Sequence, residues 1–506
     1  MACIDSRIAS ALCNKVTDPD TLAMKIADLF KDKELITIAT SGFGSVGYPK
    51  VFPQTLGEVI GERNGKLMVL TGASAYGMDD KLSDLGVVAR RYPYQYNPKM
   101  RSLINNGVVQ FQDYHLGEWP SLVEYGHLWR FTDAVDIAIV EASLVFDDGF
   151  VPTASVGAVA TWTRIARAIV IEVNKDASPN LHGFHDIYKP RPGEPIPISK
   201  VDDRVGTTYV KIPNGKLIGI IESSGIDHGS PPVEPGKTEK RIAENLIKFL
   251  QDEIDAGRLP KSLYPIESGV GTVNDAVFKA LKEAGFKNLT AWTEVVQDSL
   301  LELYHEGMLN SMSCTSLMLT PNTLKGLYDN PDEYKNSVIL RPQEVTNNIE
   351  LIRRLRVIAI NTAVEVDLLG NVNSTHILGR KIINGIGGSG DFSRGAYLSI
   401  YITPSVRRDG KISSIVPLVS HVDIPDHDVD VIITEQGVCD LRGLSPREKA
   451  ATIIEKCVHP MYKEILLEYY RRAVPKGGHI PLDLDHAFDL HKAYRDTGDM
   501  RSLSKS

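Results

Sequence analysis

Three stretches of this chain hold residues whose types and spacing could do chemistry. In LTAWTEVVQDSLLELYHEG, residues 289–307, Glu294 lies where a short apolar segment meets a helical pattern. A carboxylate there can simply complement the helix dipole from the first turn. Desolvated and faced by oxyanion donors, it can instead act as a nucleophile and carry a covalent acyl group. In ESGVGTVNDAVFKALKEAG, residues 267–285, Ser268, Gly269 and Gly271 precede an amphipathic helix bearing Ala276, Val277 and Leu281. Bare N–H groups backed by a helix dipole suit a phosphate, although a plain helix entry uses the same residues. In SHVDIPDHDVDVIITEQG, residues 420–437, His421, Asp423, Asp426, His427 and Asp428 crowd together. Their spacing matches no HExxH or EF-hand pattern, so a solvated loop is the expectation and no metal is assigned.

Two further stretches imitate a dinucleotide loop. SGFGSVG, residues 41–47, and GIGGSG, residues 385–390, both have GxGxxG spacing. A Rossmann fingerprint needs a strand before, a helix after, and an acid at the end of the next strand to hold the ribose. The strand after the first copy, KLMVLTG, ends in Leu70, Thr71 and Gly72 without a carboxylate. The second copy runs into DFSRGAYLSIYITPS, whose character is that of a strand, with no long helix expected. Tight turns are therefore preferred to a nucleotide cofactor, and no redox cofactor is expected. The absence of GxSxG argues against a serine hydrolase of the usual α/β type.

The elements that must position these residues are those of an α/β protein. Apolar, β-branched runs at 34–42, 136–144, 168–174, 216–223, 357–366 and 428–437 read as buried strands. Helical patterns lie between several of them: in RIAENLIKFLQDEIDAG, Ile242, Leu246, Leu250 and Ile254 repeat at about one turn, and Gly257 supplies a stop. Ser445, Pro446 and Glu448 make a helix start of the capping-box type. The Gly-, Pro- and Ser-rich segment 223–238 is the best linker candidate. It sets domains of 1–225 and 226–506, each holding a strand, a glycine-rich turn and a helix. With 506 residues, 56 basic and 64 acidic, the chain has a net charge of -8 and no global field for nucleic acid or an anionic membrane. Five scattered cysteines argue against a disulfide framework or a structural zinc site. No apolar run approaches the roughly 20 residues that span a bilayer, and the first 20 residues lack a secretory signal, with Asp5, Asp18 and Asp20 counting against a transit peptide.

Taken together and in order, SGFGSVGYPK, VEASLVFDDGFVPTASVG, LYPIESGVGTVNDAV, WTEVVQDS, VILRPQEVTNN, EVDLLGNVNSTH, NGIGGSGDF, GKISSIVPLVSHVD and ITEQGVCDLRGLSPRE resemble the acetyl-CoA hydrolase/transferase family, the class I CoA-transferases. The resemblance runs from about residue 30 to the C-terminus. It implies two similar α/β domains in tandem, commonly in a homodimer, the second domain carrying both the catalytic glutamate and the CoA loop. It places the catalytic glutamate at Glu294 and the CoA-binding loop at Gly269, Val270, Gly271, Thr272 and Val273. Further CoA contacts fall on Asn384, Gly388 and Arg408, and the oxyanion donors on Asn347 and the Gly388 N–H. The activity implied is transfer of CoA between small carboxylates, succinyl-CoA and acetate first, through a glutamyl-CoA thioester. An acyl-CoA hydrolase and a propionyl-CoA:succinate transferase are the alternatives. CoA is then a substrate and not a cofactor, and the expected setting is the cytoplasm, or else a mitochondrion or hydrogenosome. The chain departs from the family pattern at Glu267, at the SGFGSVG loop, at Ile424 and at Arg408, where a planar fork replaces a point donor.

Overall fold

The computed structural model describes residues 5–505 apart from 230, 232 and 270. The chain divides into two compact units. The first comprises residues 1–231, 291–301 and 311–351, and the second residues 232–290, 302–310 and 352–506. The main boundary falls inside the Gly- and Pro-rich segment, close to the expected 225/226. The segments bearing Glu294 and Asn347, however, belong to the first unit, where the sequence reading put them in the second domain with the CoA loop.

The first unit is built on nine strands: β1 Leu35–Thr40, β2 Lys66–Leu70, β3 Val88–Tyr92, β4 Gln110–Phe111, β5 Ile137–Val145, β6 Gly149–Pro152, β7 Ala168–Asn174, β8 Val210–Lys211 and β9 Leu217–Ser223. Parallel pairing runs β4, β3, β2, β1, β5, β7, β9. The antiparallel β6 and β8 are attached at the β5 end. The central strands β5 and β7 are buried almost throughout, which is why LITIAT, IAIVEASLV and AIVIEVN read as continuous apolar runs and not as alternating ones.

The second unit has strands Ile266–Ser268, Ile358–Thr362, Leu398–Ile402 and Val431–Thr434 in parallel, closed by antiparallel Gly437–Asp440. The helix Lys237–Asp255 buries Ile242, Leu246 and Leu250 as its periodicity requires. Gly257, just past its end, is in the left-handed region at φ 72°. The capping box at Ser445 is present in full, with Glu448 bonded back to the Ser445 backbone. The run VIAINTAVEV is not one strand. It leaves the large sheet after Thr362 and resumes as Glu365–Asp367 in a three-stranded sheet with Val372–Asn373 and Ile415–Val416.

GIGGSG runs into a seven-residue helix, Ser389–Gly395, and then into strand Leu398–Ile402, so no long helix follows it. Cys314, Cys439 and Cys457 are buried free thiols. Among the described residues Cys13 alone is disulfide-bonded, which is not a disulfide framework. Among the described residues, no helix is long and apolar enough to cross a membrane.

Candidate active site

Glu294 stands between strands Leu289–Trp292 and Val295–Val296, with its backbone held on the far side: Thr315 and Ser316 N–H groups both donate to its carbonyl, at 2.9 and 3.1 Å. Its side chain is half-buried and accepts a bond of 2.6 Å from Asn347 Nδ2 at Oε1. Asn347 is buried at the C-terminal end of the short helix Gln343–Thr346. Its Oδ1 accepts from Thr346 Oγ1 at 2.8 Å, which leaves the amide nitrogen as the end facing Glu294. The two residues assigned to the nucleophile and the oxyanion are thus 53 positions apart in sequence and hydrogen-bonded in space.

The support around this pair is packed to contact. A methyl group at Gly117 would lie 2.4 Å from the Asn347 carbonyl oxygen, and one at Gly72 2.6 Å from Gln343 Oε1. Gln343 uses its Nε2 on the carbonyls of Gly72 and Leu116, at 3.1 and 2.7 Å, and its backbone N–H on Gly157. Trp292 Nε1 donates to the Thr346 carbonyl at 2.8 Å, while the buried Arg341 guanidinium spans Asp186 and Ser313 Oγ beside the Trp292 ring. Glu344 is buried against Ser121 and Thr161 hydroxyls, and burial raises its carboxyl above the usual range. No role at the site follows from sequence for Gly117, Gly72 or Gln343. Gln343 lies in the recognised RPQEVTNN run, but nothing in sequence marks Gly117.

The loop SGFGSVG packs against this support. Phe43 shares a small apolar cluster with Ala73, Leu116 and Val295, and its carbonyl accepts from Ser316 Oγ at 3.3 Å. Gly42 and Gly47 have φ of 109° and 71°, and side chains there would meet Tyr48 Cβ and Ser155 Cβ, each at 2.8 Å. The helix that follows, Phe52–Glu62, has its first N–H groups filled: Val51 and Phe52 donate to the Glu172 carboxylate at 3.0 and 2.9 Å. A phosphate has no room or charge there, which gives a physical reason against the dinucleotide reading. Next to the loop, Lys50 is buried between Glu141 and Asp227, at 2.7 and 2.8 Å. Burial opposes its charge, but the two carboxylates outweigh it and raise its pKa.

The second unit holds the residues expected to bind CoA. Gly269 follows strand Ile266–Ser268, and Gly271 caps helix Thr272–Glu283 without a side-chain cap bond. Val270 lies outside the described residues. A methyl at Gly271 would meet nothing within 4 Å, and one at Gly269 only Asn274 Nδ2 and Asn361 Oδ1 at 3.4 and 3.9 Å. Thr272 and Val273 open the helix and are half-buried. Glu267 is buried and takes a bond of 3.0 Å from Asn361 Nδ2 on the neighbouring strand Ile358–Thr362. Gly388 caps the helix Ser389–Gly395, and Asn384 Oδ1 is buried with no protein partner among the described residues. Arg408 is exposed on a turn at φ 49°, with Nη1 bonded to Tyr494 OH at 2.8 Å.

The acidic and histidine-bearing run 420–437, expected to be a solvated loop, does not gather as a whole. His427 is exposed and pairs with Asp426, which also bonds Lys449. His421 and Asp423 approach each other and are joined by His376 from NVNSTH.

Residues 15–222 match the family model for the acetyl-CoA hydrolase/transferase N-terminal domain, and residues 324–470 that for its C-terminal domain. The chain is 44% identical over 483 residues to a succinyl-CoA:acetate CoA-transferase of Clostridium kluyveri, covering 94% of this chain and 89% of that protein. It is 41% identical to an acetyl-CoA hydrolase of Schizosaccharomyces pombe, with 98% of each covered. In structure it resembles a 4-hydroxybutyrate CoA-transferase of Porphyromonas gingivalis, with a TM-score of 0.62 at 22% identity, over 91% of this chain and 98% of that one. The fold is that of the two-domain class I CoA-transferases, and the chain belongs to the acetyl-CoA hydrolase/transferase family.

Proposed function

We propose that the chain transfers CoA between small carboxylates, succinate and acetate first, with Glu294 as the covalent carrier. The observation that carries this reading is the bond of 2.6 Å between Asn347 Nδ2 and Glu294 Oε1. A neutral amide fixed by its neighbours reaches the atom on which negative charge would develop.

In the first step a Glu294 oxygen attacks the thioester carbonyl and the C–S bond breaks, giving a mixed anhydride and CoA thiolate. The thiolate attacks the Glu294 carbonyl, releases the first carboxylate and leaves a glutamyl-CoA thioester. An incoming carboxylate runs both steps in reverse, so the kinetics are ping-pong. Each tetrahedral species is an oxyanion. One donor is worth on the order of 3 kcal/mol, the role given to Asn347 and, from the family resemblance, to the Gly388 N–H. The N-terminus of helix Thr272–Glu283, which begins after Gly271 and takes no cap from that residue's side chain, supports CoA phosphate or pantetheine binding by backbone N–H groups, with Gly269, Gly271, Thr272 and Val273 shaping it. Asn384, with a buried oxygen that has no protein donor among the described residues, and Arg408, exposed on a turn, complete the CoA assignment.

Hydrolysis is the second reading, favoured by the relative from Schizosaccharomyces pombe that bears that name. The readings separate in one assay, release of CoA from acetyl-CoA with and without succinate. Transfer predicts new succinyl-CoA and consumption of acetyl-CoA accelerated by at least tenfold. Free CoA released at a rate indifferent to succinate, with no succinyl-CoA, would overturn it in favour of hydrolysis.

A further inference from the structure

We propose that His376, His421 and Asp423 form a binding site for a divalent transition-metal cation of the zinc type. One donor atom from each lies within 4.8 Å of the other two. His421 Nε2 and Asp423 Oδ1 are 3.2 Å apart, close to the roughly 3.3 Å edge of a tetrahedron with metal bonds of about 2.0 Å. The two imidazole rings sit with centroids 4.1 Å apart and 46° between planes, so both can turn a nitrogen toward one point.

The backbone brings these residues together from two distant motifs. Val372 and Ile424 exchange N–H and carbonyl bonds of 2.9 and 3.1 Å, which lays segment 421–424 beside 372–376. Asn373 Oδ1 accepts from the N–H groups of Thr375 and His376, at 3.1 and 3.0 Å, and so shapes the turn that presents His376.

A shell of hydrogen bonds orients the donors, as metal ligands require. Ser374 N–H donates to Asp423 Oδ2 at 2.7 Å, and Thr375 Oγ1 lies 2.8 Å from both Asp423 oxygens and 2.6 Å from His376 Nδ1. The single hydroxyl proton goes to the charged carboxylate, the stronger acceptor. The hydroxyl oxygen then accepts from Nδ1–H, which leaves the lone pair of His376 on Nε2. Two imidazoles and one carboxylate favour a borderline-soft ion such as Zn2+ or Co2+ over Mg2+ or Ca2+. Water would fill the remaining position. His421 is 40% exposed at its side chain, which leaves an entry path for the ion.

The site is independent of the reading of Glu294, and its test needs no activity. Tag-free, full-length protein stripped with chelator is titrated with Co2+ and followed by visible absorption, then back-titrated with Zn2+. One equivalent of Co2+ per chain is expected, displaced by Zn2+, with affinity at least tenfold weaker in His421→Ala and in His376→Gln. His427→Ala, altered at a side chain 86% exposed, should bind as the parent does. Zn2+ should also raise the Tm of the parent and of His427→Ala, but not that of His421→Ala. Absence of a stoichiometric Co2+ band in the parent, or equal binding by folded His421→Ala and His376→Gln, would overturn the proposal.

Discussion

The glycines around Glu294 and those before helix Thr272–Glu283 have the same chemistry and opposite surroundings. At 42, 47, 72 and 117 an added methyl would strike neighbouring atoms at 2.4 to 2.8 Å. At 271 it would meet nothing within 4 Å. The first group lets backbones approach until an amide and a carboxylate are fixed against each other. The second leaves open space where the first is filled. Helix N-termini differ too: Phe52–Glu62 has the Val51 and Phe52 N–H groups on the Glu172 carboxylate and Pro446–Lys456 has a capping box, whereas Thr272–Glu283 begins after a glycine, which has no side chain to cap it. A Gly-rich spacing followed by a helix therefore does not specify an anion site. What distinguishes one is whether the protein has already supplied the acceptor.

The largest effect that could break this comparison lies in the packed region. Asn347→Ala removes the donor to Glu294 and should lower kcat by about 10²–10³-fold, with the KM for CoA within a few-fold. A variant retaining kcat would separate the Asn347 contact from the chemistry. The open region should respond in the other parameter. Thr272→Pro keeps the first turn of the helix, where proline is tolerated, and deletes one N–H. The expected result is a KM for CoA raised about tenfold with kcat and Tm little changed. An unaltered KM would show that these N–H groups do not face the substrate.

The smallest effect sharpens the description of the first unit as closed. His185 is fully buried with Nε2 3.1 Å from the Thr153 carbonyl, and burial lowers its pKa to about 4. The unfolded chain takes up this proton near pH 6.5, so stability is lost as pH falls from 6.5 toward 4. Between pH 7 and 5.5 this group alone should cost about 1 kcal/mol, and His185→Gln should remove that part of the slope in denaturant unfolding. An identical slope in the variant would place a charged or solvated histidine there.

Much of this was legible in the amino-acid order because local rules and tertiary structure agree. The strand Ala168–Asn174, the helix Lys237–Asp255 and the Ser445 cap follow from apolar runs, a one-turn repeat and side-chain hydrogen bonding within three residues. What was not legible depends on partners far away in sequence. Residues 291–301 and 311–351 follow the proposed linker yet belong to the first unit, because compactness is set by long-range packing and not by chain order. The helix Ser389–Gly395 reads SGDFSRG, in which only Arg394 is a good helix former, and it forms against the sheet all the same. Gly117 has no motif because its constraint is the Asn347 carbonyl. His376 is 45 positions from His421, so no spacing rule could join them.

Covalent loading of Glu294 with CoA leaves a thioester that borohydride can trap. The protein is incubated with acetyl-CoA or succinyl-CoA, reduced with borohydride, digested and weighed by mass spectrometry. The peptide containing Glu294 should lose the mass expected for conversion of its carboxyl to an alcohol, only when acyl-CoA is present, and Glu294→Gln should show no such change. An unmodified Glu294 peptide from enzyme that is turning over, or a modification mapped to another carboxylate, would contradict it.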